Sequence, residues 1–438
     1  MRILIVTPET VKSMAYGCQQ NLIRKSKELK GILEFLCTEA NNLTNCGIYY
    51  SRQLYFKTGK IPTAFDLQKQ LGTVQQNKNY QALYSDTAQQ ILGTVAESFK
   101  SFLGLLKGVK KGTVKQKPKL PNYRKPGGLS LVTYTGRSVK LVDGNLRFPL
   151  GKKVKAWFGL DSFTLPMPTN LEHSNIKEYR ILPRNREFYV EFVYQTQAIN
   201  AQLDKSNVLG IDHGINNWLT CVSDIGTSFI VDGRHLKSLN QWYNKSVATL
   251  KEGKPQGFWT NRLAAITEKR NRQMRDAVNK AARIVLNHCI ENNIGTIVFG
   301  WNEGQKDSAN MGKKTNQKFV QIPTAKVKDR IAQLCEQYGM DFVVTEESYT
   351  SKASFCDRDL LPKFGEKPEG WRASGTRIRR GLYRTLRGYL VNADCNGAAN
   401  ILRKVEITLS LNLIEISRGV LSTPTKVRLW TLEKSQSL

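Results

Sequence analysis

The chain has 438 residues and carries 66 lysines and arginines against 36 aspartates and glutamates, a formal net charge of +30. At roughly 150 residues per domain, this length predicts two to three domains, each large enough for a hydrophobic core. With 40% hydrophobic and 23% charged residues, the composition excludes a disordered tail, a collagen and a small disulfide scaffold. The sequence therefore predicts a multidomain globular protein.

Neither a membrane segment nor a disulfide framework is indicated. No apolar run approaches the ~18 residues that a membrane span needs, and the apolar stretch of MRILIVTPETVKS is too short for a signal peptide. We therefore expect a cytoplasmic location and no membrane partner. The eight cysteines are scattered without a C-x-x-C pair, so reduced, isolated thiols are expected.

The first quarter of the chain is predicted to be mainly helical. The run ILIV predicts a short strand within residues 1–16. Over residues 17–110, QQNLIRKSKELKGILEFLCTEANNL and DTAQQILGTVAESFKSFLGLLK place apolar residues at three- and four-residue spacing, which is typical of amphipathic helices. Thr63 is expected to cap the helix that follows it.

Residues 111–204 have a different pattern and predict a small antiparallel β-barrel. Short runs such as LSLVTYTG, SVKLVDGNLRFP and EFYVEFVYQTQ are bounded by Gly, Pro and Asn. The sequence VDGN at 142–145 is a good hairpin turn.

A basic block overlaps the start of this region. Residues 100–155 contain 15 lysines and arginines and one acid, Asp143, with aromatic residues interleaved. This pattern favours phosphate contact combined with base stacking, although a solvated cationic face is the alternative. The candidate nucleic-acid-binding residues here are Lys115, Lys117, Lys119, Arg124, Lys125, Lys152 and Lys153.

The last part of the chain alternates strands and helices. Strands are predicted at 207–212, 218–223 and in SFIVDG, followed by a long helix over about 258–292, in which Arg270 is a further candidate for nucleic-acid contact. A strand at 296–300, a helix in TAKVKDRIAQLCEQYG, a strand at 341–346 and a helix from NADCNGAANILRKV follow. An antiparallel start followed by alternating elements predicts an α/β RNase H-like domain.

Two acids lie at the ends of predicted elements of this domain. Asp212 ends the first strand, and Asp394 lies at the start of the last helix; alone, each is explained as a turn residue or a helix cap. Together with a third acid from the middle of the domain, they could hold two Mg²⁺ ions about 4 Å apart, a geometry that cleaves phosphodiesters. Carboxylate oxygens suit Mg²⁺, and the sequence has no Cys/His cluster for a softer metal.

The segments GIDHGINN, TIVFGWN, YTSKAS and NADCNGAANI, in this order, resemble the TnpB proteins of bacterial insertion sequences and the related type V CRISPR effectors. The resemblance implies a helical recognition lobe (17–110), a wedge barrel (1–16 and 111–204) and a RuvC-like nuclease (205–349 and 391–405). It also implies a ribbon-like insertion (350–390), and leaves 406–438 as an extension.

The resemblance further implies that the protein is an RNA-guided DNA endonuclease. Its guide RNA would derive from the transposon end and its target would be double-stranded DNA. The implied location is the bacterial cytoplasm, in association with the nucleoid. The enzyme would use two Mg²⁺ or Mn²⁺ ions. Two alternatives stay open. One is a nuclease-inactive, RNA-guided DNA-binding repressor, and the other is a transposase that transfers DNA strands.

This sequence departs from the family at its second acid. The position that usually carries it is Gly300, which cannot bind a metal. Glu346 and Glu347, at the end of the neighbouring strand, are the candidate substitutes. Because successive residues of a strand face opposite ways, only one of them is expected to be a ligand, and we favour Glu347. Glu303 is a third possibility.

A second departure concerns the family's zinc ribbon. The four cysteine positions fall on Ser354, Asp357, Arg384 and Arg387, so no zinc is expected. We predict a salt bridge from Asp357 to Arg384 or Arg387 in its place. Nucleic-acid contact by charge is predicted for this insertion and the segment before it, through Ser351, Lys352, Arg379, Arg380, Arg384 and Arg387.

Overall fold

The computed structural model describes residues 14–24, 26–302 and 322–430. Two compact units divide at residues 196 and 197: an N-terminal unit, Met14–Thr196, and a C-terminal unit that contains Gln197–Leu438. Each is described below by itself. Over the described ranges, no helix combines the length and the apolar character needed to span a bilayer.

The N-terminal unit contains five α-helices. They are α1 (Lys27–Thr58), α2 (Ala64–Gln68, continued as a π-helix over Lys69–Val74), α3 (Lys78–Ala82), α4 (Ser85–Lys110) and α5 (Lys152–Phe158). Ser26 caps α1 by accepting a hydrogen bond from the backbone N–H of Leu29. The predicted cap at Thr63 is confirmed, since Thr63 and Asp66 form a reciprocal capping box.

Seven strands of the N-terminal unit form two sheets. They are β1 (Met14–Leu22), β2 (Val132–Thr135), β3 (Lys140–Val142), β4 (Asn145–Pro149), β5 (Ser162–Pro166), β6 (Ile176–Arg184) and β7 (Glu187–Gln197). One sheet has the order β1-β7-β6-β2 and the other β3-β4-β5. Asp143 and Gly144, both at positive φ, form the predicted hairpin turn between β3 and β4.

One prediction for the start of this unit is wrong. Residues 19–22, predicted as part of a helix, are the end of β1, because pairing with β7 outweighs local helical spacing. Gln20 strengthens that pairing, with its Nε2 donating to Glu191 Oε1 at 2.6 Å. The strand predicted at ILIV lies outside the described residues.

Helices and sheets of the N-terminal unit share one hydrophobic core. Leu33 of α1, Phe99 of α4, Phe148 of β4 and Tyr179 of β6 are fully buried in it. Phe148 stacks on Phe163 with ring centroids 4.9 Å apart. The predicted helical region and the predicted barrel region therefore pack as a single body.

The C-terminal unit is built on a six-stranded sheet with the order β12-β11-β8-β9-β10-β16. The strands are β8 (Val208–His213), β9 (Asn217–Ser223), β10 (Ser228–Asp232), β11 (Thr296–Gly300), β12 (Asp341–Thr345) and β16 (Thr425–Arg428). Strands β8, β9 and β10 are antiparallel neighbours, whereas β11 pairs parallel with both β8 and β12. The strands predicted at 207–212, 218–223, 296–300 and 341–346 are confirmed.

Helices cover both faces of this sheet. They are α6 (Arg234–Lys251), α7 (Asn261–Glu291), α8 (Thr324–Tyr338), α9 (Ala393–Val405) and α10 (Arg418–Ser422). Leu209 and Ile211 of β8 share a core with α7 and α8, while Val208 shares the other core with α9. Because strand side chains alternate, Asp212 belongs to the face that α9 covers.

A smaller antiparallel sheet, β13 (Thr376–Arg379), β14 (Leu382–Arg384) and β15 (Leu390–Asn392), lies in the predicted insertion. It leads directly into α9, since β15 ends at the N-cap residue of that helix, Asn392. Strands β13 and β14 form a hairpin within the arginine-rich segment SGTRIRRGLYRTLRGYL, residues 374–390.

Candidate active site

Asp212 is the next-to-last residue of β8, the strand between β9 and β11 in the sheet. Helix α9 approaches this position closely: a Cβ at Gly397 would lie 2.9 Å from Asp212 Oδ2. Ala393, Ala398 and Ala399 are buried on the same helix, and their small side chains allow the close approach. The start of α9 therefore lies directly against the end of β8.

Asp394 lies in the first turn of α9, but it is not the cap of that helix. Asn392 is the cap, and its Oδ1 accepts from the backbone N–H groups of Asp394 and Cys395. The Asp394 carboxylate is therefore available for other contacts. Its Oδ1 accepts from Arg377 Nη2 at 2.8 Å and its Oδ2 from Asn217 Nδ2 at 2.6 Å.

Glu347 occupies the space beside Gly300. The ends of β11 and β12 pair in parallel, with Gly300 opposite Thr345, and Glu347 follows two residues later. A Cβ at residue 300 would lie 3.3 Å from Glu347 Oε2 and 2.4 Å from Ile401 Cδ1. The neighbouring strand end thus delivers a carboxylate to the place towards which a side chain at position 300 would point.

Two residues outside the predicted set hold Glu347 in position. Asn302 Oδ1 accepts from the Glu347 backbone N–H at 3.1 Å, and Asn302 Nδ2 lies 3.5 Å from Glu347 Oε1. His213 Nε2 lies 3.7 Å from Glu347 Oε2, and the His213 ring packs against Phe299 and Trp301. His213 lies within the motif GIDHGINN and Asn302 ends the motif TIVFGWN, which is the sequence signal that could have marked them.

Glu346 is held by other partners. Its carboxylate accepts from Lys404 Nζ, on the last turn of α9, and from the backbone N–H of Ser348. Burial opposes ionisation of Glu346, but these hydrogen bonds outweigh it and hold the pKa of the carboxyl below its usual range. Of the two adjacent glutamates, the structure brings Glu347 to Asp212 and Asp394. Glu303 lies outside the described residues.

Asp212, Glu347 and Asp394, here called the acidic site, line one cavity. Loss of water around Asp212 raises the pKa of its carboxyl well above the usual range, the Glu347 and Asp394 carboxylates raise it further, and Arg377 opposes them. Carboxylates gathered in this way favour a bound cation. The donor set consists of hard oxygens, so its chemistry fits Mg²⁺ or Mn²⁺.

As placed, the acidic site is not closed around a single ion. Among the residues that the structure describes, no three Asp, Glu, His or Cys side chains form a group that could hold a metal. Both oxygens of Asp394 are engaged by Arg377 and Asn217. Arg377 and Asn217 therefore compete with a cation for the Asp394 carboxylate.

Four cationic side chains line the same cavity as the acids: Arg234, Arg377, Arg380 and Lys426. Of these four, Arg380 was among the predicted nucleic-acid contacts. Ser351, another predicted contact, also lines the cavity. Arg377 is part of the arginine-rich segment noted in the sequence, whereas nothing in the pattern marks Arg234 or Lys426. The cavity thus combines three carboxylates with a rim of positive charge.

The predicted salt bridge of Asp357 is wrong. Within the described part of the chain, neither Arg384 nor Arg387 pairs with it. Asp357 Oδ2 instead accepts from Ser354 Oγ at 2.6 Å, Ser374 Oγ at 3.2 Å and the backbone N–H of Leu386 at 2.8 Å. Short neutral donors close to the carboxylate replace the long arginine side chains that we expected.

Asp359 completes this arrangement. Its Oδ2 accepts from the backbone N–H groups of Ser354 at 2.7 Å and Ser374 at 3.0 Å. We call Ser354, Asp357, Asp359 and Ser374 the serine–aspartate knuckle. It joins residues 354–359 to Ser374 through hydrogen bonds from hydroxyl and backbone groups. The bond from the Leu386 N–H to Asp357 also links it to the segment of the second pair of zinc-ribbon positions, Arg384 and Arg387.

The remaining predicted nucleic-acid residues are mostly exposed on each unit. In the N-terminal unit, the exposed side chains are those of Lys115, Lys117, Lys119, Arg124, Lys125 and Lys152, whereas that of Lys153 is partly buried. The backbone around Arg124 is fixed to α1, because Asn45 both donates to the Arg124 carbonyl and accepts from its N–H. In the C-terminal unit, Lys352, Arg379, Arg384 and Arg387 are exposed.

Arg270, the remaining candidate for nucleic-acid contact, is less exposed than most of the others. It is partly buried, with its Nε donating to Asn240 Oδ1 at 2.9 Å and its guanidinium 5.6 Å from the Tyr243 ring centre. Burial lowers the pKa of this guanidinium. Its observed contacts therefore join α7 to α6.

Comparison with known proteins agrees with this architecture. The chain is similar to a protein chain in the cryo-EM structure of the Cas12f1-sgRNA-target DNA complex, with a TM-score of 0.58 and 16% sequence identity over 86% of this chain and 83% of that chain. A second solved structure, the mini-RNA-guided endonuclease CRISPR-Cas_phi3, gives a TM-score of 0.47 and 9% identity over 95% of both chains. The first similarity shows a shared multidomain α/β fold.

Residues 191–304 match the family OrfB_IS605, described as a probable transposase. This range includes β8 to β11 and therefore Asp212 and Gly300. No curated protein sequence matches the chain. The family match over residues 191–304 and the shared fold confirm the resemblance to the TnpB proteins that the motifs indicate.

Proposed function

We propose that this protein is a transposon-encoded, RNA-guided DNA endonuclease. Asp212, Glu347 and Asp394 would hold two Mg²⁺ or Mn²⁺ ions in a RuvC-like site and cleave target DNA by phosphodiester hydrolysis. The observation that carries the proposal is the meeting of three acids, from β8, the end of β12 and the start of α9, at one cavity.

The sheet of the C-terminal unit supports this assignment. The order β12-β11-β8-β9-β10, with three antiparallel strands followed by parallel ones, agrees with an RNase H-like nuclease domain. In this order β8 is central, so Asp212 lies where elements on both sides can reach it. The additional strand β16 extends the sheet at its β10 edge.

The proposed partners are a guide RNA from the transposon end and double-stranded target DNA. The similar Cas12f1 structure is a complex with sgRNA and target DNA. The net charge of +30 and the exposed lysines of residues 111–155 provide the counter-charge that such polyanions require. Base pairing would supply sequence specificity, while the protein contacts the backbone.

The protein's own residues would divide the work at the site. When bound, the metal ions supply an activated water and stabilise the leaving oxygen. Asn302 fixes the Glu347 carboxylate, and Gly397 admits α9 close to Asp212. Arg377 is placed to exchange its bond to Asp394 for a substrate phosphate, because guanidinium binds both groups well.

The test is to purify the protein with its co-expressed transposon-end RNA and to offer Mg²⁺ and DNA that bears a guide match beside a randomised flank. We expect double-strand cleavage by the parent and none by Asp212→Ala or Asp394→Ala. Retention of RNA and target binding by both variants would assign the loss to chemistry. Cleavage that persists in both variants would refute the proposed site.

A second function, RNA-guided DNA binding without cleavage, is favoured by two specific observations. Gly300 replaces the family's second acid, and Arg377 with Asn217 engages Asp394. Guide-dependent binding by the parent without any cutting would establish that function. Products in which donor DNA is joined to target would instead indicate a strand-transferring transposase.

A further inference from the structure

The segment after α9 returns to the nuclease sheet instead of extending away from it. Strand β16 pairs in parallel with β10, with Phe229 opposite Thr425 and Asp232 opposite Arg428. Residues 406–438 were expected to be an extension beyond the fold. The described part of that segment supplies the sixth strand of the sheet.

Side chains at the end of β16 anchor it firmly. Leu429 is buried in the core beside α7, and Trp430 Nε1 donates to Asp276 Oδ2 at 2.9 Å. The Trp430 ring also contacts the His235 ring at 4.8 Å and the Lys280 ammonium at 5.6 Å. The strand is therefore held at both its backbone and its C-terminal end, which fixes the place of Lys426.

Lys426 and Arg234 share one buried carboxylate. Asp232, whose side chain is 8% exposed, accepts from Arg234 Nε at 3.0 Å and from Nη2 at 2.6 Å. Lys426 Nζ lies 4.0 Å from the same Asp232 Oδ2. Because one carboxylate faces two cations, the group keeps an excess positive charge. The Arg234 side chain is 56% exposed and the Lys426 side chain 42%.

This pair lines the cavity that contains the acidic site. A nucleic-acid strand entering the cavity brings one negative charge per phosphate towards three carboxylates. Ions at the acids would offset the charge of the reacting phosphate alone, so the neighbouring phosphates need cations of their own. Arg234 offers a planar fork and Lys426 a mobile point charge, a combination suited to a phosphate.

We propose that Lys426 binds a backbone phosphate of the target DNA, together with Arg234, which Asp232 orients. This phosphate neighbours the phosphate at which the strand is cut. The inference rests on the proposed nuclease function, and it makes the C-terminal strand a part of the substrate site. Lys426 would contact the substrate, whereas Asp232 and Trp430 would be positioning residues for that contact.

The test compares Lys426→Gln with Lys363→Gln, which removes an exposed lysine of the same unit that does not line the cavity. Both changes are made in the full chain, loaded with guide RNA, in an Asp212→Asn background that binds without cutting. The affinity for target DNA is measured over a series of NaCl concentrations. Loss of one phosphate contact lowers the slope of log K against log[salt] by about 0.9.

We expect Lys426→Gln to weaken target binding by about 3- to 10-fold and to reduce the salt slope by about 0.9, with Lys426→Arg close to the parent. A merely structural change would not alter the salt slope. Equal affinities and slopes for Lys426→Gln and Lys363→Gln would overturn the inference. Failure of the proposed function is seen separately, as a parent complex that binds target DNA in Mg²⁺ and never cuts it.

Discussion

Two groups of acids in the C-terminal unit, the serine–aspartate knuckle and the acidic site, differ in what surrounds their carboxylates. In the serine–aspartate knuckle, Asp357 and Asp359 accept hydrogen bonds from Ser354, Ser374 and a backbone N–H. In the acidic site, Asp212 faces Glu347 and Asp394, and the pKa of its carboxyl rises. The knuckle stabilises its carboxylates with hydrogen bonds from protein donors, whereas in the acidic site the carboxylates repel one another.

The difference separates structural acids from those suited to a cation. A carboxylate supplied with several donors is stable as it stands and gains little from a metal ion. Carboxylates that repel one another gain most from a cation, because it removes the repulsion and the cost of burial together. The two groups therefore predict different responses to substitution and to metals.

The largest expected effect distinguishes Glu347 from its neighbour. Glu347→Gln should reduce cleavage by at least ~10³-fold, because a neutral amide is a poor metal ligand. Glu346→Gln is the matched control and should retain most activity. It should lose some stability, because its ion pair with Lys404 becomes a neutral contact. Single-turnover cleavage rates at saturating Mg²⁺ measure both. The opposite ranking would move the third ligand to Glu346.

A smaller effect is expected from filling the space beside Glu347. Gly300→Ala would place a methyl group 2.4 Å from Ile401 Cδ1 and 3.3 Å from Glu347 Oε2. The 3.3 Å contact requires the Glu347 carboxylate to shift by a few tenths of an ångström. Since a misplacement of about 1 Å costs ~10²-fold, this smaller shift should lower the cleavage rate by roughly 3- to 10-fold. Ile401→Val removes the nearest atom, so the double variant should recover part of that rate. No recovery would mean that Ile401 does not transmit the effect.

The knuckle should respond in stability and not in metal dependence. Asp357→Ala leaves two hydroxyl groups and the Leu386 N–H without their acceptor, which should cost roughly 2–4 kcal/mol of the free energy of unfolding. Denaturant titration measures the loss, and Asp357→Asn should lose less. Zinc or a zinc chelator should not shift the parent's unfolding curve. A zinc-dependent shift would contradict this account.

The smallest effect is expected from relieving the charge repulsion in the acidic site. Because the pKa of Asp212 is raised in the folded protein, its ionised form destabilises folding at pH values above the ordinary aspartate range. Asp212→Asn should therefore raise Tm by about 1–2 °C at pH 7.5 in EDTA. Added Mg²⁺ should raise the Tm of the parent and not of the variant. An unchanged or lowered Tm for the variant in EDTA would contradict the repulsion.

Much of the six-stranded sheet was accessible to sequence reasoning because its strands are buried and strongly apolar. Strand ends then marked Asp212 as a candidate, and the alternation of side chains predicted that only one of Glu346 and Glu347 is a ligand, without selecting which. Helix α6 was not predicted, since only Leu236 and Asn240 of it are buried and its apolar stripe is thin.

Other features depend on contacts between distant segments, which no local pattern records. The bond between Arg377 and Asp394 is an example, since a turn and two short strands separate these residues in the chain. The knuckle and the pairing of β16 with β10 arise in the same way. For β1, long-range pairing even reverses the local preference for helix.

The separation of Asp212 and Asp394 along the chain also orders events during synthesis. Asp212 leaves the ribosome 182 residues before Asp394 (394 − 212), and β16 follows later still. The N-terminal unit, residues 14–196, is continuous and can fold while the rest is being translated. A nascent chain thus presents its basic segment before the nuclease-like sheet is synthesised, and its set of three acids becomes complete only when Asp394 has been added.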